Sequence, residues 1–564
     1  IPDAAAPTVA LDLSYGVGSK NDPRERTGLA HFYEHMMFEG SANHTSNFIQ
    51  KVESRGGRVN GGTSRDRTQY WSIVPPEALE ELLAMEADRM RSPNLDPISF
   101  EEQKGIITNE RLEKYDNAPF GLAIERFHQL LYGEEHPYHA PVIGSLPHIQ
   151  QTSLEDLKAF TQKYYHPGNA CLAIAGPIAV AECQNLIHRL FADIPAHDPV
   201  PAPVIPLNHG LNETLFDDVA YPKSYIGWHT AAAFSEDDAA YDVLSHILSQ
   251  GRGQLLSHLN RNQPQVHDVR AMQVSRQHAG LFRVDYIPHE KATANLTEQV
   301  SASIKSCVDA MQEADLEQAK GQLRLQELLP LARSGGFGGL VDALNFFGTL
   351  TGQQTDLFSA MDRFRHVNLS HVKACAEKLT VDNATCLQVK VGPKPKTPLQ
   401  PQASSAQKPA PTKGPASLPV YRPEPSQLGQ TTSGFPFWQV HKPRQPLQSL
   451  RLCWHTAHSP TLVAKPFLAR YLEQIVGRRF HVNPTPFGHI AAKGGDAEVR
   501  VQANVADLGL LVPQGTAPSV TAALRGILET VDLPQAVFHS LQEDFQGRLR
   551  RMQGNKEFLL EQTA

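Results

Sequence analysis

The chain has 564 residues, enough for about three or four domains of ordinary size. Hydrophobic residues make up 41% and charged residues 20% of the chain, which excludes a wholly disordered protein. The formal net charge of −7 excludes a protein whose main partner is nucleic acid or another polyanion, because phosphate binding needs a basic surface.

The beginning of the chain and its apolar runs give no sign of a leader or a membrane segment. The chain starts at Ile1 without a charged stretch followed by an apolar one, so we expect that any leader was removed or never existed. The longest apolar run, residues 171–181, is too short for a bilayer-spanning helix and contains Pro177. We therefore expect no transmembrane segment.

The first chemical signal is an HxxEH pattern, His31-Phe-Tyr-Glu34-His35, with Thr27 before it as a candidate helix cap. Residues four apart share one helix face, so His31 and His35 can bind one zinc ion. Glu34 lies beside that face and can take a proton from a water held by the metal. The alternative is a pair of surface histidines, but the helix is largely apolar, and buried polar groups need a partner.

A catalytic zinc site needs a third protein ligand, and a later amphipathic segment is its best source. Four residues of that segment share one predicted helix face: Gln103, Ile106, Ile107 and Glu110. A carboxylate in line with two isoleucines points inward, which is costly unless a cation lies there. Glu113, one turn further, is the main alternative.

Beyond residue 169, strand-like and helix-like runs alternate. Ala170–Ala175 is typical of a strand, Val180–Ala192 of the helix that returns over it, and a proline-rich break follows at Pro195–Pro206. The next block continues the alternation, with strands and helices predicted at Ser224–Trp228, Asp238–Ser249, Gly280–Tyr286 and Thr293–Gln312. This interleaving predicts an α+β or α/β protein.

Two further segments are rich in glycine or proline. Ser334-Gly-Gly-Phe-Gly-Gly339 is a candidate substrate loop, but no matching motif supports that role, and a flexible connector is the favoured interpretation. Between Pro393 and Pro425, ten of 33 residues are proline, and such a segment cannot bury enough apolar surface to fold. We interpret it as a tether between two large parts.

The chain also matches itself weakly at a constant shift of 438 residues. Ser72–Pro75 falls on Leu510–Pro513, and Leu29–His35 falls on Phe467–Glu473. We interpret this as an internal duplication, the alternative being a chance alignment of two amphipathic helices and a strand. The second copy would stop at the counterpart of position 126.

Taken in order, these residues resemble the pitrilysin/insulinase family of zinc metallopeptidases, which includes the mitochondrial processing peptidase. The resemblance covers nearly the whole chain. Thr27–Ser41 looks like the signature helix of that family, and Val59–Tyr70 is similar to its substrate-binding edge strand. Shorter matches follow at His136–Tyr138, Gly144–Ser145 and Tyr165–Asn169.

The resemblance implies one Zn²⁺ per chain, with Glu110 as the third ligand and Glu34 as the general base on the zinc-bound water. The family usually has a second glutamate where this chain has Gln103. We predict that the Gln103 amide orients Glu110 or a ligand histidine without adding charge, so that metal affinity is tuned differently.

The resemblance also implies how a peptide binds. Asn60, Gly61, Gly62 and Thr63 are predicted to lie on a sheet edge, which can take an extended peptide as an added strand. Two adjacent glycines are also typical of a bulge or a turn, and that alternative stays open.

The implied fold is α+β: repeated metallopeptidase-type domains with antiparallel-rich sheets flanked by helices, in two clamshell halves of which the second is incomplete. We predict a zinc-binding catalytic domain (1–200), a second family domain without metal (201–392), a proline-rich linker (393–427) and a degenerate repeat of the first domain (428–564). At the 438-residue shift the four metal-site positions become Ala469, Leu472, Glu473 and Arg548, which together cannot form a zinc site.

The predicted function is a zinc metalloendopeptidase that hydrolyses peptides or unfolded segments of polypeptide. The alternatives are a catalytically silent scaffold and a member that works only with a partner, either a second copy of the chain or a subunit of a processing-peptidase-like complex. Resemblance to exported bacterial members predicts a periplasmic or secreted location.

Overall fold

The computed structural model describes residues 1–198, 207, 210–250, 255–352, 357 and 362–394, and the strand segments 427–430, 436–439, 447–455, 496–501 and 505–513. Within these ranges, no helix combines the length and the apolarity that a bilayer crossing requires.

The first unit is a four-stranded antiparallel sheet in the order β2-β3-β1-β4. Its strands are β1 (Val9–Tyr15), β2 (Arg58–Thr63), β3 (Thr68–Val74) and β4 (Ala170–Ala175). Its stretch of chain also contains the helices α1 (Leu29–Met36), α2 (Phe48–Ser54), α3 (Leu79–Arg91), α4 (Pro97–Arg111), α5 (Gly121–Tyr132), α6 (Leu146–Gln151), α7 (Leu154–Tyr164) and α8 (Val180–Phe191). Strand β1 is buried along its whole length, as expected for a strand covered on both faces.

The second unit is a five-stranded sheet in the order β5-β9-β6-β8-β7, in which only the β5–β9 pair is parallel. Its strands are β5 (Asn212–Asp217), β6 (Lys223–Thr230), β7 (Val266–Val274), β8 (Gly280–Pro288) and β9 (Thr385–Val391). The described helices of this stretch are α9 (Glu236–Gln250), α10 (Leu255–Leu259), α11 (Leu296–Asp309), α12 (Glu313–Leu331), α13 (Leu340–Thr351) and α14 (Leu369–Glu377).

The two units exchange helices. Helix α5, which precedes β4 in the chain, buries Phe127 and Leu131 against Tyr225 and Leu281 of the second sheet. Helix α13, which follows α12, packs on the first sheet instead, with Val341 buried between Ala10 of β1 and Ala175 of β4. Each sheet therefore has one of its two faces covered by a helix from the other unit's stretch of chain.

A buried polar cluster fixes α13 on the first sheet. Arg67, directly before β3, forms an ion pair with Asp342 of α13. Asn345 of the same helix donates through Nδ2 to both the backbone O and the side-chain Oδ1 of Asp12, each at 2.7 Å. Burial raises the pKa of Asp12 to about 7, and its Oδ2 has no hydrogen-bond partner among the described residues.

Asp12 is therefore expected to make the protein less stable as the pH rises from about 4 to about 7, because the folded state keeps a proton that the unfolded state releases. Asp12→Asn should remove this effect. In thermal unfolding, the stability of the variant relative to the wild type should increase by at least about 1 kcal/mol between pH 4.5 and 7. A pH-independent difference between the two proteins would contradict the burial argument.

Five described strands lie beyond residue 400. β10 (Gln427–Gln430) pairs with β11 (Pro436–Gln439), and β12 (Leu447–His455), β13 (Asp496–Val501) and β14 (Val505–Pro513) form an antiparallel sheet in the order β12-β14-β13. Moved back by 438 residues, β13 coincides with β2, while β12 and β14 overlap β1 and β3. The strand order is also the same, β1-β3-β2. Ala469, Leu472, Glu473 and Arg548 lie outside the described residues.

The predicted α+β class with antiparallel-rich sheets is confirmed. The predicted strand Ala170–Ala175 has the bounds of β4, and the helix that follows it ends one residue before the predicted Ala192. The other predicted strands and helices of the second unit lie within or overlap β6, α9, β8 and α11. The segment Ser334–Gly339 forms a loop that bonds to α13: the N–H of Gly338 donates to Asp342, and the N–H of Val341 donates to the carbonyl of Ser334.

Candidate metal centre

The helix that carries the HxxEH pattern begins after a glycine turn that is held by hydrogen bonds to Asp22. Gly28, at the N-cap of α1, adopts φ +98°, a conformation that favours glycine. Asp22 caps the helix from outside, accepting the N–H of Gly28 at 2.7 Å and that of Ala30 at 3.0 Å. The prediction that Thr27 caps the helix is therefore wrong; the Thr27 hydroxyl instead accepts the N–H of Ser145 at 3.0 Å.

Three side chains converge at this helix. The Nε2 atoms of His31 and His35 lie 3.7 and 3.6 Å from the same carboxylate oxygen, Oε2 of Glu110 on α4. The two imidazole rings meet nearly edge to face, with centroids 4.8 Å apart. Two imidazoles and one carboxylate are the donor set of a catalytic zinc site, which leaves a fourth position for water or substrate.

Helix α4 places Glu110 next to the histidines, but fewer residues of this helix are buried than the sequence predicted. Ile107 is fully buried, whereas Ile106 is 42% exposed, so the expectation that both isoleucines point inward is wrong for Ile106. Residues 103, 107 and 110 repeat at i, i+4 and i+7, and Ile106 falls at the margin of that stripe. The alternative ligand, Glu113, is exposed in the π-helical turn that follows α4.

An amide orients one of the imidazoles. The Nδ1 of His35 lies 3.0 Å from Oε1 of Gln103, which can only accept, so Nδ1 carries a proton. Nε2 is then the ring nitrogen that would bind a metal after losing its own proton to it. The orientation of the Gln103 amide is fixed in turn, because its Nε2 donates to Oε1 of Glu39 at 2.8 Å. In metal sites, hydrogen bonds of this kind to the ligand side chains fix the orientation of the ligands.

The charge states also suit a divalent cation. Burial, followed by the neighbouring His35, lowers the pKa of His31 to about 4, so its ring is neutral at neutral pH. The hydrogen bond from His35 lowers the pKa of Glu110 to about 2, and Lys114 contributes through a 2.8 Å contact. At His35, burial is outweighed by the hydrogen bond to Glu110 and the charge of Glu34, which raise its pKa, so a metal that binds there displaces a proton. A neutral imidazole and an ionised carboxylate are the forms that bind metals.

Glu34 does not join this set of three but lies beside it. Its Oε2 accepts the hydroxyl proton of Thr63 at 2.6 Å, and the backbone N–H of Thr63 also bonds the carboxylate. Burial raises the pKa of Glu34, and the bonds from Thr63 only partly offset that effect. A carboxylate with a raised pKa is a better proton acceptor than an exposed one.

Thr63 ends β2, which lies at the edge of the first sheet with a continuous register rather than as a bulge or turn. Ser64 N–H bonds the carbonyl of Arg67 in the same register, so the even-numbered residues bond to β3. The odd-numbered ones, Val59 and Gly61, then direct their N–H and C=O groups to the open edge. Consistent with this parity, the Gly61 N–H donates to the side chain of Asn60, at 2.9 Å, rather than to β3.

Comparison with known proteins matches both units of the chain. The model of the insulinase family (peptidase family M16) matches residues 1–143, and the peptidase M16 inactive-domain model matches residues 151–323, together more than half of the chain. The chain belongs to peptidase family M16.

Its M16 relatives include proteins named as zinc proteases. A zinc protease PqqE of Helicobacter pylori is 28% identical over 348 residues, covering 59% of this chain and 77% of that protein. An uncharacterized zinc protease YmxG of Bacillus subtilis is 22% identical over 388 residues, covering 67% and 92%. A probable mitochondrial-processing peptidase subunit beta of Arabidopsis thaliana is 20% identical over 408 residues, covering 69% and 75%.

Solved structures share the fold of this M16 chain. The crystal structure of a protease from Helicobacter pylori has 22% sequence identity and a TM-score of 0.60, covering 68% of this chain and 94% of its own. A peptidase M16 inactive domain from Pseudomonas fluorescens gives the same TM-score at 20% identity, covering 70% and 95%. At these identities the likeness concerns the fold alone.

The second M16 unit also contains groups of metal-ligating side chains, but their contacts do not favour a metal. In the group of Asp237, His371 and Cys375, the carboxylate of Asp237 bonds the ammonium of Lys378 at 2.7 Å. In the other group, His289 accepts a backbone N–H at Nδ1, so Nε2 carries its proton and points it at Glu290.

Several residues that support the candidate metal centre were not identified from the sequence. Lys114 follows Glu110 by four residues, and that helical spacing could have predicted their ion pair. Asp22 and Glu39 carried no such signal, because each reaches its partner through the tertiary fold. Thr63 was predicted as part of the edge strand but not as a partner of Glu34.

Proposed function

We propose that the chain is a zinc metalloendopeptidase in which His31, His35 and Glu110 bind the metal and Glu34 is the general base. The observation that carries the proposal is the convergence of two imidazole Nε2 atoms on one Glu110 oxygen, at 3.7 and 3.6 Å, with Glu34 beside them. Names of several M16 relatives as zinc proteases support zinc as the metal.

The residues present fit a bound Zn²⁺. His31 is neutral, and Glu110 supplies one negative charge. At His35, Gln103 accepts the Nδ1 proton, and a metal would take the place of the proton that Nε2 shares with Glu110. When bound, Zn²⁺ lowers the pKa of water and polarises a scissile carbonyl.

In the proposed mechanism, the Glu34 carboxylate accepts a proton from the attacking water and later returns it to the leaving amine. The hydroxyl and the backbone N–H of Thr63 hold the carboxylate in place for that proton transfer. The same residue ends β2, so a peptide added to the open edge of that strand brings its backbone next to the base. Asn60, Gly61, Gly62 and Thr63 are then the peptide-binding strand.

Gln103 is proposed to set metal affinity through His35. Gln103→Leu removes the acceptor of the His35 Nδ1 proton and leaves Glu39 without its amide partner. We expect zinc affinity to fall roughly 10- to 100-fold, the usual effect of such an outer contact. Competition against a zinc chelator measures this, with Gln50→Leu, an exposed glutamine on α2, as the matched control. Equal affinity in all three proteins would contradict the proposed role.

We also propose that the part after residue 427 is a degenerate copy of the first unit. The sheet β12-β14-β13, with the strand order of the first sheet at a 438-residue shift, supports the duplication. The loss of all four metal-site residue types at that shift supports a copy without zinc. Closure of two such halves around a substrate remains part of the proposal.

The test uses the full chain alone. We expect about one zinc per chain, hydrolysis of an unstructured peptide, loss of hydrolysis in a chelator and recovery on adding zinc. Hydrolysis that is absent at full zinc occupancy would favour the partner-dependent alternative, which the name of one relative as a subunit also suggests. Size-exclusion chromatography of the same sample then shows whether the chain is alone or with a second copy. Absence of zinc would favour a silent scaffold.

A further inference from the structure

The glycine-rich segment Ser334–Gly339 carries an exposed aromatic side chain next to the edge strand. Phe337 is 45% exposed although it is a large apolar residue. Its ring meets Trp71 of β3 edge to face, with centroids 5.7 Å apart. A Cβ added to Gly62 would lie 3.0 Å from the Phe337 ring, so the absence of a side chain at Gly62 makes room for it.

The loop Ser334–Gly339 holds Phe337 in its position. Gly336 and Gly338 adopt φ +85° and +75°, which lets the chain turn tightly on both sides of the phenylalanine. Gly338 N–H bonds Oδ2 of Asp342 at 2.5 Å, and Arg333 donates to the carbonyl of Phe337 at 3.0 Å. Because Asp342 is ion-paired to Arg67, the loop is tied to the first sheet at its base.

Phe337 lies on the sheet face opposite to the metal centre. Side chains alternate along β2, and Thr63 points toward Glu34 while Gly61 points toward Phe38 in the core of the first unit. Gly62, between them, therefore faces the other side, where the Phe337 ring lies over it. An aromatic residue from the second unit's stretch of chain thus borders the strand that ends at the general base.

We infer that Phe337 selects an apolar side chain in the substrate, at the position that pairs with Gly62. This inference rests on the proposed function, in which a peptide adds to the open edge of β2. Residues directly opposite in a strand pair share a face, with Cβ atoms about 5 Å apart. A substrate side chain opposite Gly62 then reaches the exposed part of the Phe337 ring, whereas its two neighbours point to the metal side.

The chemistry of that contact sets the preference. The exposed part of the Phe337 ring is apolar, so a leucine or phenylalanine beside it gains by burial. An aspartate at the same position loses hydration against that ring. Phe337 should therefore determine which side chain is preferred at one position of the peptide. The positions directly before and after it should be insensitive to Phe337.

The test measures peptide binding without turnover. Fluorescein-labelled nine-residue peptides, identical except for one leucine or aspartate moved along the sequence, are titrated by anisotropy against the zinc-depleted full chain. We expect one position at which leucine binds at least about fivefold tighter than aspartate. Phe337→Ser should reduce that ratio below about twofold, and Phe337→Leu should retain most of it. Phe216→Ser, which removes a phenylalanine that is 50% exposed on β5, is the matched control.

The outcomes separate this inference from the proposed function. A ratio that is unchanged in Phe337→Ser, or no binding by any peptide, overturns the inference. Hydrolysis by the zinc-loaded chain with the same preferences in Phe337→Ser overturns the inference but leaves the proposed function intact. Binding that depends on Phe337 without any hydrolysis at full zinc occupancy supports the inference and contradicts the proposed catalytic activity of the chain.

Discussion

Glu34→Gln is expected to slow peptide hydrolysis roughly 10²- to 10⁴-fold while the chain keeps its zinc. Glutamine cannot accept the water proton, but its amide oxygen can still accept the Thr63 hydroxyl bond, so the local fold should persist. His31, His35 and Glu110 are untouched. The measurement is kcat/KM on an unstructured fluorogenic peptide, together with zinc content per chain.

Glu113→Gln is the matched control for this variant. Glu113 is an exposed glutamate three residues after Glu110, and it was the alternative ligand from the sequence. We expect its replacement to leave both zinc content and hydrolysis within about twofold of wild type, the small effect typical of a surface change. Loss of zinc in Glu34→Gln would make Glu34 a ligand, and loss of zinc in Glu113→Gln would contradict the role of Glu110.

Arg67→Met is expected to lower the free energy of unfolding by about 3–5 kcal/mol, because it leaves buried acids without their cation. Arg67 pairs with Asp342, and both side chains are at most 10% exposed. The guanidinium also lies 4.9 Å from the centroid of the Phe346 ring, a contact that methionine replaces only in part. Urea unfolding at pH 7 measures the change.

Two further variants distinguish the effect of burying the ion pair from the effect of its charges on the free energy of unfolding. Arg55→Met removes an ion pair with Glu81 in which the arginine is 52% exposed, and the expected loss is below about 1 kcal/mol. Arg67→Met combined with Asp342→Leu removes both charges and should recover part of the stability lost in Arg67→Met. Equal losses for Arg55→Met and Arg67→Met would show that burial of the pair does not matter.

The metal-centre geometry was largely predictable because it depends on local periodicity. His31 and His35 are four residues apart on one helix, and Gln103 and Glu110 repeat on one face of another, so both sets follow from helical spacing. Helical periodicity predicts which side of a helix is buried but not how many residues on that side are. For this reason Ile106 was wrongly expected to be buried.

Contacts between distant segments were not predictable in the same way. The bond from Thr63 to Glu34 and the one from Gln103 to Glu39 depend on how β2 and α4 lie against α1, which no local pattern specifies. The cap from Asp22 replaced the expected one from Thr27 for the same reason. Glycine content indicated a flexible connector at Ser334–Gly339 but not the hydrogen bond from Gly338 to Asp342, which depends on how α13 lies against the first sheet.

The exchange of α5 and α13 between the two sheets has a consequence for how the molecule can be divided. A fragment ending near residue 200 would leave the Ala10 and Ala175 side of its sheet uncovered, and would carry the Phe127 face of α5 with no sheet to cover it. Exposed apolar surface of that kind favours aggregation. The first 394 residues should therefore unfold in one cooperative step, and a change to the core face of either sheet requires a matching change in the helix that covers it from the other unit's stretch of chain.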